Sequence, residues 1–337
     1  MKKIVAITLT TASLMASSLV QDAKNAGLMP IPDSKSELLK LIDDKQNPLT
    51  QEKISLGKQL YFDPRLSKSG IISCNTCHNL SEGGDDGIEA STGHMWRHNP
   101  HHINAPTVYN SVFFQSQFWD GRAKDLEAQA QGPTLAAPEM AASKQHIVDV
   151  VTSMPEYVQE FKYAYGENVK ITFEKVTNTI ASFERTLVTP APYDKFLNGH
   201  QEALTSKQKA GLKTFIQLGC TSCHNGIALG GEMNVINVAA KYKYMNVGDF
   251  KGDKNGMVKV PTLRNIAQTA PYFHNGKIWN LKDAIKEMGR IQLGIKVSDK
   301  QAESIQDFFG SLTGKKPDLQ MPMLPASTSK TPKPDLN

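Results

Sequence analysis

Two short stretches could do the most demanding chemistry in this chain: Cys74-Asn75-Thr76-Cys77-His78 and Cys220-Thr221-Ser222-Cys223-His224. Two thiols at this spacing on one helical turn can both reach haem vinyl groups as thioethers, and the adjacent imidazole then points at the iron. The same residue types can hold zinc or cycle as a dithiol. A histidine after each pair, twice in one chain that opens like an exported protein, favours covalent haem at both places. All four cysteines are used in this way, so two loaded sites leave no thiol for a disulfide.

The sixth iron ligand decides what such a haem does. A methionine thioether raises the potential and suits electron transfer; an open or weakly held face suits peroxide chemistry. For the second motif the candidates are Met233, Met245, Met257 and Met288, with Met321 and Met323 beyond. Met288 is favoured because it ends a predicted helix and precedes Gly289, where backbone can come close to a haem face. Methionine as core filler is the competing reading. For the first motif the candidates are His94, His98, His101 and His102. His94 lies in an acidic stretch made flexible by Gly83, Gly84, Gly87 and Gly93, so a ligand there could leave the iron. His98, His101 and His102 read as solvated surface residues.

The elements that must hold these residues are mostly helical. Apolar spacing and caps predict helices over Ser36–Asp43, Gln51–Phe62, Asp120–Ala130, Phe173–Leu187 and Ser206–Leu218. Asn280 can cap a helix ending near Met288, and Ser298 with Gln301 suggests a capping box for a last one. Alternating runs are few, so little strand is expected. The chain also repeats itself. Pro106-Thr107, Asn110 and Gly121 recur at the same intervals as Pro261-Thr262, Asn265 and Gly276, each set behind a Cys-x-x-Cys-His. Trp119 falls opposite His274. The expected fold is therefore mainly α, two cytochrome c-like haem domains related by internal duplication. The domains would span 24–188 and 189–314, hinged at Thr189-Pro190-Ala191-Pro192, with an extended Pro-rich tail over 315–337.

Composition sets the bounds. At 39% apolar and 21% charged residues the chain reads as a soluble globular protein. A formal charge of +5, without a basic run interleaved with aromatics, excludes a nucleic-acid partner. Lys2 and Lys3 followed by the apolar stretch Ile4–Ala16 read as a signal peptide ending near residue 18. No later run is long and apolar enough to span a membrane.

The chain closely resembles the bacterial dihaem cytochrome c peroxidases, from about Leu56 to the tail. The resemblance rests on both haem motifs, Gly93-His94-x-Trp96, Asn104-Ala105-Pro106-Thr107-Val108 and Gln117-Phe118-Trp119-Asp120-Gly121-Arg122. Pro138-Glu139-Met140, Thr269-Ala270-Pro271-Tyr272-Phe273-His274 and Met288-Gly289 complete it. It implies an N-terminal peroxidatic haem on His78, closed by His94 when fully oxidised, and a C-terminal high-potential haem on His224 and Met288. It implies that Glu139 shuttles a proton during O–O cleavage, that Gln129 holds peroxide, and that Phe118 shapes the pocket. By itself Glu139 reads as a helix-start carboxylate after Pro138. Trp119 would lie between the haems, with His274 as a second candidate on the electron path or at a propionate. A calcium ion would bind the Asn104 side chain and the Thr269 and Pro271 carbonyls. Further implications are periplasmic location, hydrogen peroxide as substrate, a small cytochrome c or cupredoxin as electron donor, and a homodimer.

Two other functions compete. A related dihaem enzyme oxidises tryptophans of a precursor protein, but that branch carries tyrosine where this chain has Met288. A plain electron carrier would keep both irons fully ligated and would need neither Glu139 nor a mobile His94 loop.

Overall fold

The computed structural model describes residues 19–318 and 320–336; the expected signal peptide, 1–18, lies outside them. Among the described residues the chain is mainly helical. The only paired strands are β1 (Met233–Val235) and β2 (Met257–Lys259), antiparallel, with Met233 opposite Lys259. After a helical stretch at 19–25 come α1 (Lys35–Ile42) and α2 (Gln51–Phe62), capped by the Ser34 and Thr50 hydroxyls. The first haem motif is the single turn α3 (Cys74–Cys77). The helix expected from Asp120 starts later, as α4 (Leu126–Leu135), with Asp125 capping Ala128 N–H. The reason is local: Gln117 pairs with Ala123 across a turn in which Gly121 has φ 66°. The next two helices, α5 (Lys144–Thr152) and α6 (Pro155–Tyr165), were not anticipated. They bury Ile147, Val150, Val151, Tyr157 and Phe161. Then follow α7 (Phe173–Glu184), α8 (Pro192–Leu197) and α9 (Ser206–Gln217). α10 (Leu281–Met288) and α11 (Asp299–Gly310) close the helical part, with the Asn280 cap and the Ser298/Gln301 capping box both formed.

The two halves repeat one packing unit. In the first, α2 crosses α7 at Gly57, where an added Cβ would lie 2.1 Å from the Thr179 carbonyl oxygen. In the second, α9 crosses α11 at Gly211, where it would lie 2.0 Å from the Ser304 carbonyl oxygen. Glycine lets the helix axes approach so closely that aromatic rings meet beside each crossing. Tyr61 meets Phe183 and Phe215 meets Phe308, both pairs with ring centroids 5.4 Å apart. One core gathers around Leu60, Tyr61, Val176 and Phe183, the other around Leu212, Phe215, Ile305 and Phe308.

The segment expected as a hinge is instead pinned from both sides. Thr189 is fully buried, and its hydroxyl accepts from the Asn110 amide at 2.8 Å and the Asn265 amide at 2.9 Å. These are the matched asparagines of the repeat, both left-handed at φ 63° and 60°. The chain ends also cross over. Ala23 and Leu28 pack into the C-terminal core, and Ile31 N–H donates to Asp194 at 2.7 Å. The tail runs back along the first half. Arg65 donates to the Pro325 carbonyl at 2.8 Å, Thr328 to the Ser153 carbonyl at 2.9 Å, and Asp335 N–H to the Lys68 carbonyl at 2.9 Å.

Overpacking a tight crossing typically costs about 1–3 kcal/mol. Gly57→Ala and Gly211→Ala are each expected to lower the unfolding free energy by that order, seen as a lower urea midpoint by far-UV circular dichroism. Wild-type midpoints would show that the crossings tolerate a methyl group.

Candidate haem sites

The C-terminal motif follows α9 directly. Gly219, at φ 82°, ends that helix, and Cys220–Ser222 forms the next turn. The turn opens into an apolar cavity with about 1600 Å³ of empty space, mouth included, lined by Cys220, Cys223, His224, Met288 and Phe309 among others. His224 Nδ1 lies 3.2 Å from the Leu229 carbonyl, which leaves Nε2 free to bind a metal. Burial pulls this imidazole down to about 4, so it is neutral as a ligand must be. Met288 ends α10 where the backbone widens into a π turn over Gly289–Leu293, a feature frequent at functional sites. Gly289 lines the cavity beside Met288, and an added Cβ would also meet Val297 at 2.5 Å, so it packs against the following loop as well. Met233, Met245 and Met257 do not line the cavity, and Met321 and Met323 are exposed.

The N-terminal motif is built from α3, held by Ser73 N–H donating to the Thr76 hydroxyl at 2.9 Å and His78 N–H to the Cys74 carbonyl at 2.9 Å. Tyr61 donates to the His78 carbonyl at 2.8 Å. His78 Nδ1 is buried without a partner in bonding geometry, although the Pro106 and Gly84 carbonyls lie beside it; burial pulls the ring down to about 4. Nδ1 of His94 is buried and unpartnered as well. Orphaned buried nitrogens call for a missing partner, and a haem-facing orientation supplies a reason. The thiols agree. They are unpaired; burial pushes Cys220 up to about 11, Cys77 up to about 12 and Cys74 higher still. Thiols that resist ionising are poor zinc ligands and poor redox dithiols, and they fit thioether attachment.

Two expected groups, the His94 loop and Glu139, converge on this motif. Cys77 Sγ lies 3.3 Å from the Thr92 carbonyl, just before His94. Gly93 sits against the 138–139 backbone, where an added Cβ would be 1.9 Å from the Pro138 carbonyl oxygen. Glu139 lies near enough to Cys77 to disfavour its thiolate. Burial raises the Glu139 pKa, while the charges of Arg122 and His101 pull it back. The Phe118 ring lies under the Arg122 guanidinium at 3.5 Å and against Gly132 of α4. Gln129 stands one turn before Gly132 on the same face of that helix. Arg122 was quoted in a motif but given no role; only the fold brings it to Glu139. The loop carrying His94 holds Met95 and Trp96 at φ 57°, a strained backbone for residues with side chains. The surface reading of the other histidines holds for His98. His101 is exposed but pairs with Asp249 at 2.7 Å, and His102 Nε2 is buried, 3.8 Å from Glu89. Both face the other half of the molecule.

The halves meet through a reciprocal pair of hydrogen bonds. Asn104 N–H donates to the His274 carbonyl at 2.9 Å, and Lys259 N–H donates to the Trp119 carbonyl at 2.7 Å. Trp119 and His274 are counterparts in the repeat, as are Asn104 and Lys259. The Trp119 and His274 rings stand edge to face, centroids 6.4 Å apart. The indole N–H donates to the Asn104 carbonyl at 2.9 Å. The Asn104 amide donates to the Pro271 carbonyl at 2.7 Å and the Phe273 carbonyl at 3.1 Å. Turned over, it would set an oxygen beside those carbonyls, an arrangement that suits a hard cation. Thr269 and Asp85 line the same end of the cavity. Asp85 was not anticipated; burial raises it to about 7. No group of three or more His, Cys, Asp or Glu side chains converges as a metal site among the described residues, so amide and carbonyl oxygens would carry such a cation.

Fold and sites together define a c-type cytochrome with two haem-attachment sites facing one joint. A sequence profile of the di-haem cytochrome c peroxidases matches residues 51–202. The chain is 42% identical to the cytochrome c551 peroxidase of Pseudomonas aeruginosa, over 95% of this chain and 94% of that one. It is 43% identical to the cytochrome c551 peroxidase of Nitrosomonas europaea, over 96% and 97%. Among solved structures, a MauG-like protein associated with microbial copper homeostasis matches with a TM-score of 0.70 at 25% identity, over 81% of this chain and 92% of that one. The chain belongs to the di-haem cytochrome c peroxidase family, and it is an oxidoreductase of the peroxidase type. The family implies two c-type haems. No helix among the described residues is long and apolar enough to cross a membrane.

Gly93→Ala should push the Pro138–Glu139 backbone away from the His94 loop. The expected outcome is an altered spectrum of the N-terminal haem and an unchanged one for the C-terminal haem. Two unaltered spectra would mean that the loop absorbs the methyl group.

Proposed function

We propose that this chain reduces hydrogen peroxide to two waters in the periplasm, using two protons and two electrons delivered singly by a small cytochrome c or copper protein. The observation that carries the reading is the asymmetry of the two motifs. Glu139 and the His94 loop crowd the first, whereas the second faces Met288. On this reading residues 24–188 are the peroxidatic domain and 189–314 the electron-transfer domain, with the signal peptide removed. Each haem, when bound, supplies one-electron redox chemistry, and the N-terminal haem also supplies the face at which peroxide binds.

The residues divide the remaining work. His78 and His224 are kept neutral by burial and hold the proximal positions. Met288 closes the second side of the C-terminal site and favours its reduced form. His94 closes the N-terminal site in the oxidised enzyme and leaves with its strained loop when the partner site is reduced. Glu139 then takes a proton from one peroxide oxygen and returns it to the other, which is general acid–base work. Its raised pKa brings it nearer the operating range, and Arg122 limits the rise. Gln129 hydrogen-bonds the peroxide, and Phe118 walls the pocket. Trp119 carries electrons across the joint, with His274 beside it. A calcium ion held by Asn104, Thr269 and Pro271 would tie the joint to the peroxidatic side. Electrons enter at the C-terminal cavity, where Val235 of the lining is exposed. We read the working unit as a homodimer, as the family resemblance implies.

Losing a positioned acid–base group costs ~10²–10⁴-fold in rate. Glu139→Gln is therefore expected to keep both haem spectra and lose turnover of that order; wild-type turnover would remove Glu139 from the mechanism. The wild-type rate should fall on acidification as Glu139 is protonated, with a midpoint above the ordinary glutamate value of 4.5, and this limb should vanish in the variant. Chelation of calcium should lower turnover with both haems retained. If peroxide reduction and haem spectra are both indifferent to the chelator, the calcium site is withdrawn.

A further inference from the structure

Lys259 is 4% exposed and lines the cavity that holds Cys220, Cys223, His224 and Met288. It is the only lysine or arginine in that lining. Its ammonium has no hydrogen-bond acceptor among the described residues; its recorded neighbour is the Phe114 ring, 4.6 Å from Nζ. Asp120, whose charge acts on the ammonium, is engaged by Arg122 at 2.8 and 3.0 Å. A buried ammonium without an anion is costly, and here burial lowers its pKa to about 7 even though the Asp120 charge opposes the shift. Asp85 is the one carboxylate in the cavity lining among the described residues, and burial pushes it toward its neutral form; the haem would bring two more, its propionates.

We propose that Lys259 holds a propionate of the C-terminal haem and thereby raises that haem's reduction potential. The proposal rests on the haem reading of the second motif. The repeat supplies an independent reason. Lys259 is the counterpart of Asn104, and the two make reciprocal backbone bonds across the joint. Asn104 marks the place proposed for a bound cation on one side. Lys259 puts a covalent cation at the matching place on the other. A positive charge beside a propionate stabilises the reduced, less positive haem more than the oxidised one, which matches the high-potential role.

The test is a spectroelectrochemical titration of the holoprotein and of Lys259→Met and Lys259→Arg, each first shown to carry two haems by pyridine haemochrome absorbance. At the potential where the wild-type C-terminal haem is half reduced, Lys259→Met is expected to raise the oxidised-to-reduced ratio about tenfold, equivalent to about 59 mV for a one-electron couple. Lys259→Arg, which keeps the charge, should stay within about twofold of wild type. An unchanged ratio in Lys259→Met with two haems bound overturns the proposal, as does an equal loss in Lys259→Arg. Should Lys259→Met not accumulate with its haems, the wild-type potential decides. An ammonium held by an anion stays charged, so the potential should be constant across the neutral range; a fall centred near pH 7 overturns the pairing. A wild-type protein without haem on Cys220 and Cys223 would defeat the haem reading itself, a separate outcome visible in the haemochrome.

Discussion

One constraint governs the molecule: two haem-type sites must keep a fixed relation across a joint made by the chain itself. The reciprocal bonds from Asn104 to the His274 carbonyl and from Lys259 to the Trp119 carbonyl set that relation. Each bond satisfies a buried backbone donor of one half with an acceptor of the other, so sliding the halves apart would orphan both at once. The same contact locates Trp119, whose indole is fixed by its own hydrogen bond and edge-on packing. An aromatic ring held on two sides is a rigid spacer, which suits both structural and electron-transfer duty.

Around this joint the protein repeats one solution twice and then departs from it. Helix crossings at Gly57 and Gly211, the left-handed asparagines at 110 and 265 and the shared Thr189 follow the same plan. The departures carry function. Where the second half has Met288 ending a helix, the first half has α4, and Glu139 follows that helix beside Cys77. Where the first half has Asn104, the second has Lys259. The chain ends add a further asymmetry, since each is packed on the half to which it does not belong in sequence. Such crossed straps raise the cost of separating the halves without stiffening either site.

Electrostatics at the two sites follow from burial more than from paired charges. The proximal histidines, Cys74, Cys77, Cys220 and Glu139 all shift in the direction that disfavours charge. A neutral imidazole and an un-ionised thiol are what covalent haem attachment and ligation require. The same low-dielectric setting makes the few retained charges consequential. Lys259 is placed in an apolar cavity where little water screens its charge, whereas Arg122 acts on Glu139 from the exposed side.

What the sequence determined by itself was local and periodic. Paired cysteines with histidine, caps at Asn280 and Ser298, helical spacing in α2, α7 and α9, and the spaced Pro-Thr and Asn repeat are all set within a few residues, so they could be read directly. The resemblance added roles to Glu139, Trp119 and Asn104 that no local rule supplies. Tertiary structure alone decided the rest. It selected Met288 over the other methionines as a cavity residue, moved the start of α4, docked the tail, pinned the expected hinge, and brought Arg122 to Glu139 and Lys259 to the joint. Those facts depend on contacts between residues far apart in the chain, and no propensity or spacing encodes which distant partner a side chain will meet.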